Sequence, residues 1–375
     1  MNASSPTRIL FVLTSSIRGG IEEVVLSLLA RLDRGEFQPA LAAPAALLDS
    51  ISKEPPLQGV PTFSAAASSW LDWREVRALA RAIRSFRPDI VNPHLFRATL
   101  VAAPLAKWLG VPSVVETYHG REAWRHGPFR GTFLVDRMVS RYVDRIVAVS
   151  QAAKDFLVRR KRIPAEKIVV VPNGRDLSAF RPGCGGADAR RELRLTPETP
   201  ILGIVGRLEE QKGHRYALEA FARVVQDFPY AKLLIVGEGS LRQTLEHQAW
   251  ELGVRDSVLF TGFRNDMPRL LDAIDIVVLP SLYEGMPLTA IEAAAMAKPV
   301  VATAVDGTTE VVADGDTGAL VPSGDVGAMT DAIRRLLADP VHRRNLGKRG
   351  RQRALQHFSI TASVASAAEV YRHAS

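Results

Sequence analysis

Cys184 is the chain's one cysteine. A single thiol cannot close an internal disulfide, and it excludes a zinc site built from several cysteines; the scarcity fits a reducing compartment. Long apolar runs are missing as well. The longest stretch without a charge, Pro55 to Leu71, has 17 residues and carries three prolines, so it is not a spanning helix. The apolar run Ile9 to Leu13 is short and leads into Arg18-Gly19-Gly20, not into a small-residue cleavage site, so no secretory leader is read. The expected location is therefore cytoplasmic. No Asp-x-Asp sequence and no His/Cys cluster is found, so neither a metal nor a bound cofactor is expected. Low-complexity tracts are absent, which excludes a largely disordered chain.

What is there suits a globular protein: 375 residues, 47% hydrophobic, 23% charged, enough for two domains with separate cores. The net charge of +8 is unevenly spread. Residues 1–182 hold 26 Lys/Arg against 16 Asp/Glu, whereas the remainder holds 22 against 24. Such an N-terminal half suits an anionic surface or acceptor, or is simply a solvated basic face.

Strand-length apolar runs alternate with amphipathic helical segments. In the first half they are Ile9 to Leu13, Ile90 to Asn92, Ser113 to Thr117, Ile146 to Val149 and Ile168 to Val171. The alternation restarts after Arg181-Pro182-Gly183-Cys184-Gly185-Gly186, read as a linker. It continues with Ile201 to Val205, Lys232 to Val236, Ser257 to Phe260, Ile276 to Leu279 and Pro299 to Ala302. Strands separated by helices predict an α/β fold with two open parallel sheets, which bind ligands beyond the carboxyl ends of their strands. The expected division is residues 1–182, 183–358, and a C-terminal helix at 359–375.

The residues just after those strands carry the chemical signals. Gly19 and Gly20 open a helix where backbone N–H groups can approach an anion, although the spacing is not a full dinucleotide fingerprint. Gly206-Arg207 and Lys212 place two cations in one loop before a helix, which suits a diphosphate. Ser281-Leu282-Tyr283-Glu284-Gly285-Met286-Pro287-Leu288 leads into a helix expected to run through Ala297, with Pro287 in its first turn. Gly285 and Met286 then lie where unpaired N–H groups gather. Glu292 follows about 7 to 8 Å along that helix, a carboxylate among alanines that needs partners and is placed to meet ribose hydroxyls. Gly237-Glu238-Gly239 is by itself a weak signal shared by many Rossmann-like domains.

Glu284 and Glu292 form an E-x7-E spacing which, with Gly206-Arg207 and Lys212, resembles the large family-4 group of retaining glycosyltransferases. The likeness covers nearly the whole chain: Gly19-Gly20 is similar to that family's N-terminal glycine loop, Val171-Pro172-Asn173-Gly174 to its turn before the linker, and Gly237-Glu238-Gly239 to its second donor-side loop. The resemblance implies a GT-B fold, two Rossmann-like domains whose parallel sheets face a central cleft, with the C-terminal helix crossing back to the N-terminal domain. It implies that Arg207 and Lys212 hold the diphosphate of a UDP- or GDP-sugar and that Glu292 holds the ribose. Glu284, Gly285, Met286, Pro287 and Leu288 would meet the sugar and phosphate, and Phe263 and Arg264 the base. His119, in Glu116-Thr117-Tyr118-His119-Gly120, matches a histidine that positions the donor sugar without acting as a base, since retention is assigned to a same-face, substrate-assisted displacement. One departure is Asp306-Gly307-Thr308-Thr309-Glu310, where Asp306 stands in the place of a glycine; it either just ends the strand or touches the donor.

The acceptor implied is a glycan or a lipid-linked glycan of envelope polysaccharide or glycolipid synthesis. Arg74 to Arg87 carries five arginines opposite an apolar stripe. Arg121, Arg125, Arg130, Arg137, Arg141 and Arg145 surround Trp124, Phe129, Phe133 and Leu134, a mixture suited to an anionic bilayer at the inner membrane face. Arg159-Arg160-Lys161-Arg162 is read as solvated cations at a helix end. Nucleic acid is not expected, because no recognition motif accompanies the charge. Rival readings are a dehydrogenase, disfavoured by the missing fingerprint, a nucleotide-sugar epimerase of the same fold, and a non-catalytic nucleotide-sugar-binding protein.

Overall fold

The computed structural model describes residues 5–65, 72–121 and 133–374. The chain forms two compact units, one made of Met1–Gly174 with Ile360–Ser375, the other of Arg175–Ser359.

The first unit is a seven-stranded sheet in the order β3-β2-β1-β4-β5-β6-β7. Its strands are β1 (Thr7–Val12), β2 (Phe37–Ala43), β3 (Thr62–Ser64), β4 (Ile90–Pro93), β5 (Ser113–Tyr118), β6 (Arg145–Ala148) and β7 (Ile168–Val170). All neighbours pair parallel. Ile9, Phe11 and Leu13 enter one core while Leu10 and Val12 enter another on the opposite face. Burial on both sides is why the strand reads as an unbroken apolar run. β2 and β3 had no counterpart among the expected strands. β2 is Phe-Gln-Pro-Ala-Leu-Ala-Ala, poor in β-branched residues, and its pairing with β1 makes it a strand.

The arginine-rich helix is Trp73–Phe86, capped by Asp72, which accepts from the Arg74 N–H at 2.9 Å, and closed by Arg87 in a left-handed conformation at φ 52°. The C-terminal helix is Ile360–Arg372; Val364, Ala367, Ala368 and Tyr371 bury in the same core as Ile9 and Phe11. The reading of Lys161 as a solvated cation is corrected. It is 3% exposed, its ammonium 2.6 Å from the buried Asp136 and 4.6 Å from the centroid of the Tyr118 ring. A carboxylate and aromatic faces replace the water that this charge gives up.

The second unit has six parallel strands in the order β10-β9-β8-β11-β12-β13. They are β8 (Ile201–Val205), β9 (Lys232–Val236), β10 (Val258–Gly262), β11 (Ile276–Leu279), β12 (Val300–Thr303) and β13 (Gly318–Val321). The order reverses between β8 and β11, and the crevice outside their carboxyl ends is where such sheets bind ligands. The stretch 181–186 read as a linker belongs to this unit. The Asp272 carboxylate accepts from the N–H groups of Gly183, Gly185 and Gly186 at 2.9, 3.1 and 2.7 Å. The division falls instead after Gly174.

Candidate active site

Three glycines bring the loops of the second unit into contact. A side chain at Gly237 (φ +143°) would put its Cβ 2.0 Å from the carbonyl oxygen of Gly206, and one at Gly213 (φ +64°) would lie 2.1 Å from that of Pro280. The loop after β8 therefore touches the loop after β9 on one side and the loop after β11 on the other. The latter contact is sewn by the Leu282 N–H donating to the Gln211 carbonyl at 2.8 Å and the Gln211 amide donating to the Tyr283 carbonyl at 3.1 Å.

This seam sets Lys212 against Glu284. The ammonium lies 2.5 Å from Oε1, which also accepts from the Ser281 hydroxyl at 2.7 Å. Thr303, at the end of β12, donates to the Ser281 carbonyl at 2.5 Å. Glu284 and Ser281 are buried, so the pair is partly desolvated and its hydrogen bonds are charge-assisted. Arg207 is exposed at the head of the same loop. Asp306 also makes a contact that the sequence does not announce: its Oδ2 accepts from the Glu284 N–H at 3.1 Å, tying the loop after β12 to the loop after β11. Its φ of 38° is a backbone region that favours glycine and that Asp tolerates better than most residues.

The helix after Glu284 is Leu288–Ala295, with Pro287 in the capping position. It stops short of Ala297, which is left-handed at φ 55°. Gly285, Met286 and Pro287 thus lead into a helix start whose first N–H groups have no carbonyl one turn earlier. Glu292, 7% exposed, has its Oε1 2.7 Å from the Arg175 Nε. Arg175 escaped the sequence reading; the signal available was its place just after Val171-Pro172-Asn173-Gly174. Phe263 is 63% exposed after β10. Arg264 is committed to its own neighbourhood: its guanidinium donates to both Asp266 oxygens at 2.8 Å and to Glu192 at 2.8 Å. Those carboxylates hold its pKa above the ordinary arginine value, so of this dipeptide the Phe263 ring is the part that is open. His214, at the start of the helix after Lys212, is 1% exposed, and burial with the nearby Lys212 charge pushes its pKa down to about 4.

In the first unit, Gly19 caps the helix Gly20–Arg31, and a Cβ there would come 3.2 Å from the Glu22 carboxylate. His119 follows β5. Its Nε2 lies 2.8 Å from Nδ1 of His94, whose Nε2 lies 3.1 Å from Oδ1 of Asn92. The Tyr371 hydroxyl donates to the same Oδ1 at 2.9 Å. Burial depresses both imidazoles, His119 to about 3. His94, Asn92 and Tyr371 had no place in the sequence reading, since they come together only through β4, β5 and the C-terminal helix.

Two Rossmann-like units of parallel sheet, with paired cations and carboxylates at a switch point, define a GT-B glycosyltransferase. The family Glycosyltransferase Family 4 matches residues 18–179, and Glycosyl transferases group 1 matches residues 187–353. The chain belongs to this family of glycosyltransferases. It is 28% identical over 320 residues to the UDP-Gal:alpha-D-GlcNAc-diphosphoundecaprenol alpha-1,3-galactosyltransferase of Escherichia coli, covering 83% of this chain and 82% of that one. It is 32% identical to the glycogen synthase of Mycobacterium tuberculosis over 77% of this chain and 69% of that one. The fold is shared with Anabaena HepE, solved in complex with UDP and glucose: TM-score 0.85, 21% identity, covering 98% of this chain and all of that chain.

Proposed function

We propose that the chain is a retaining transferase that moves a hexose from a UDP-sugar to a glycan or lipid-linked acceptor in envelope polysaccharide or glycolipid synthesis, without a metal. One observation carries this reading: Lys212 and Glu284 meet at the switch point of the second sheet, beside a helix start. Arg207, Lys212 and the N–H groups of Gly285, Met286 and Leu288 receive the diphosphate. Phe263 stacks on the base, Glu292 takes the ribose hydroxyls, and Gly206 and Gly237 let backbone approach the carrier. Gly19 and Gly20 are the corresponding glycines of the first unit, and His119 positions the sugar.

In the reaction the bond from the anomeric carbon to the carrier's β-phosphate oxygen breaks, and the acceptor oxygen bonds to that carbon on the same face. The acceptor's proton passes to the departing phosphate oxygen. Negative charge grows on the diphosphate as the bond lengthens, so the cations stabilise the transition state more than the ground state. UDP is preferred over GDP because the Escherichia coli relative uses UDP-Gal and Anabaena HepE holds UDP.

The test is calorimetric titration with UDP, GDP and ADP in the presence of EDTA, followed by mass analysis of UDP-glucose and UDP-galactose incubated with and without glycan acceptors. UDP binding in EDTA and acceptor-dependent product are expected, and the anomeric coupling in the product reports retention. Loss of binding in EDTA removes the metal-free reading. An altered nucleotide sugar formed without any acceptor identifies an epimerase, and binding without turnover a silent binding protein.

The membrane-facing part of the proposal rests on the segment 134–145. Leu134, Val135, Met138 and Tyr142 are exposed at 45% to 60% together with the exposed Arg137, Arg141 and Arg145. Trp124, Arg125, Phe129 and Arg130 lie outside the described residues. Among those described, no helix is long and apolar enough to cross a membrane. Flotation with vesicles containing anionic lipid should carry the protein upward at low salt and release it at high salt. Protein that stays at the bottom in both sinks the membrane proposal.

A further inference from the structure

Hydrogen-bond polarity can be followed along the buried row behind His119. The Val115 carbonyl only accepts, so the Asn92 side-chain atom facing it is the NH2 group, which also donates to the Thr117 hydroxyl at 3.0 Å. The opposite atom, Oδ1, only accepts. It takes the Tyr371 hydroxyl proton and requires a proton on Nε2 of His94. His94 is fully buried, and a second proton would place an uncompensated charge in the core. Its Nδ1 is therefore a lone pair, which can meet Nε2 of His119 at 2.8 Å only if that nitrogen carries hydrogen. The ring centroids are 5.1 Å apart with planes at 26°, the arrangement of two imidazoles joined edge to edge through nitrogen. Leu95, directly after His94, sits at φ 71°, a conformation that a branched side chain adopts at a cost, and its N–H is held by the Thr117 carbonyl at 3.1 Å.

We propose that Asn92, His94 and Tyr371 are positioning residues that fix His119 as the neutral Nε2–H tautomer, so that its Nδ1 accepts a hydrogen bond from a hydroxyl of the donor sugar. The identity of that ligand rests on the transferase reading above; the tautomer does not. A ring held neutral adds no positive charge beside an anomeric centre that itself becomes positive as the carrier leaves. The arrangement also links the C-terminal helix, through Tyr371, to the orientation of a residue in the loop after β5. A ring that can accept but not donate selects for sugars with a hydroxyl at that position.

Two measurements on the full chain test this. Nitrogen-15 NMR of histidine-labelled protein at pH 7, with His119 assigned by its loss in His119→Ala, should show a protonated Nε2 and an unprotonated Nδ1. A protonated Nδ1 on His119, alone or with Nε2, overturns the proposal. Kinetics on UDP-glucose hydrolysis supply the second readout. Glutamine can both donate to Asn92 and accept from His119, so His94→Gln should keep the tautomer and stay within about threefold of wild-type kcat. His94→Leu should lose on the order of tenfold in kcat with KM nearly unchanged. Equal losses in both variants, or a loss confined to KM, also overturn it. If the wild type neither binds UDP nor hydrolyses UDP-glucose, the transferase reading falls while the NMR result still decides the tautomer.

Discussion

The Lys212 ammonium stands 2.5 Å from the Glu284 carboxylate, the one arriving from the loop after β8 and the other from the loop after β11. Neither loop makes this site alone, because the pair exists only where the sheet reverses its order. Lys212→Ala removes the cation from the proposed diphosphate and leaves a buried carboxylate that keeps its hydrogen bond from the Ser281 hydroxyl. The expected result is a loss of kcat on the order of 10² or more, a smaller rise in KM, and about 1–3 kcal/mol of lost stability. Steady-state kinetics with urea unfolding checks all three; unchanged kcat removes Lys212 from the mechanism.

Glu292 and Arg175 form a second partly buried ion pair, 2.7 Å apart. Glu292→Ala should weaken UDP binding by about tenfold or more, and Arg175→Ala should lower stability by taking a cation away from the buried Glu292 carboxylate. A double-mutant cycle measured by calorimetry and unfolding separates the two effects. Additivity of both variants in stability would show that the pair has no coupling.

Gly213 combines a left-handed backbone with a neighbour, the Pro280 carbonyl, too close for any Cβ. Gly213→Ala is expected to cost more than about 2 kcal/mol and to part the two loops, so UDP affinity should fall with it. Thermal unfolding and UDP titration of this variant, beside Gly253→Ala with the same backbone sign but open space around it, distinguish the clash from strain alone.

Acid should destabilise the fold before its carboxylates titrate. His214 is neutral in the folded state, with its pKa at about 4 against about 6.5 unfolded, so the unfolded chain binds more protons between those values. The stability it contributes is complete above pH 6.5 and is lost as pH falls toward 4, about 2 kcal/mol of it by pH 5. His119 and His94, also depressed, act in the same direction. Urea midpoints at pH 8 and pH 5 measure this, and His214→Leu should flatten the difference. A fold equally stable at both pH values contradicts it.

Most strands were legible because parallel strands buried on both faces are written as apolar runs, as Ile9 to Val12 and Ile201 to Val205 show. β2 was hidden because alanine and proline carry no strand signal, and β13, Gly-Ala-Leu-Val, because four residues are too few to show a period. Lys161 was misread for the same kind of reason: a charge among charges looks solvated until a distant Asp136 and three aromatic rings fold around it.

The sequence by itself determined the class of this protein: the alternation of strands and helices, the cations after β8, and the E-x7-E spacing across a helix start are local patterns set by neighbours a few residues apart. Only the tertiary structure decided which groups pair. Lys212 with Glu284, Arg175 with Glu292, Asp306 with the Glu284 N–H, and Tyr371 with Asn92 bring together residues that lie 72, 117, 22 and 279 positions apart. The crossing order of the sheets and the docking of the C-terminal helix close those distances, because hydrogen bonds act over about 3 Å, however far apart their partners stand in the chain.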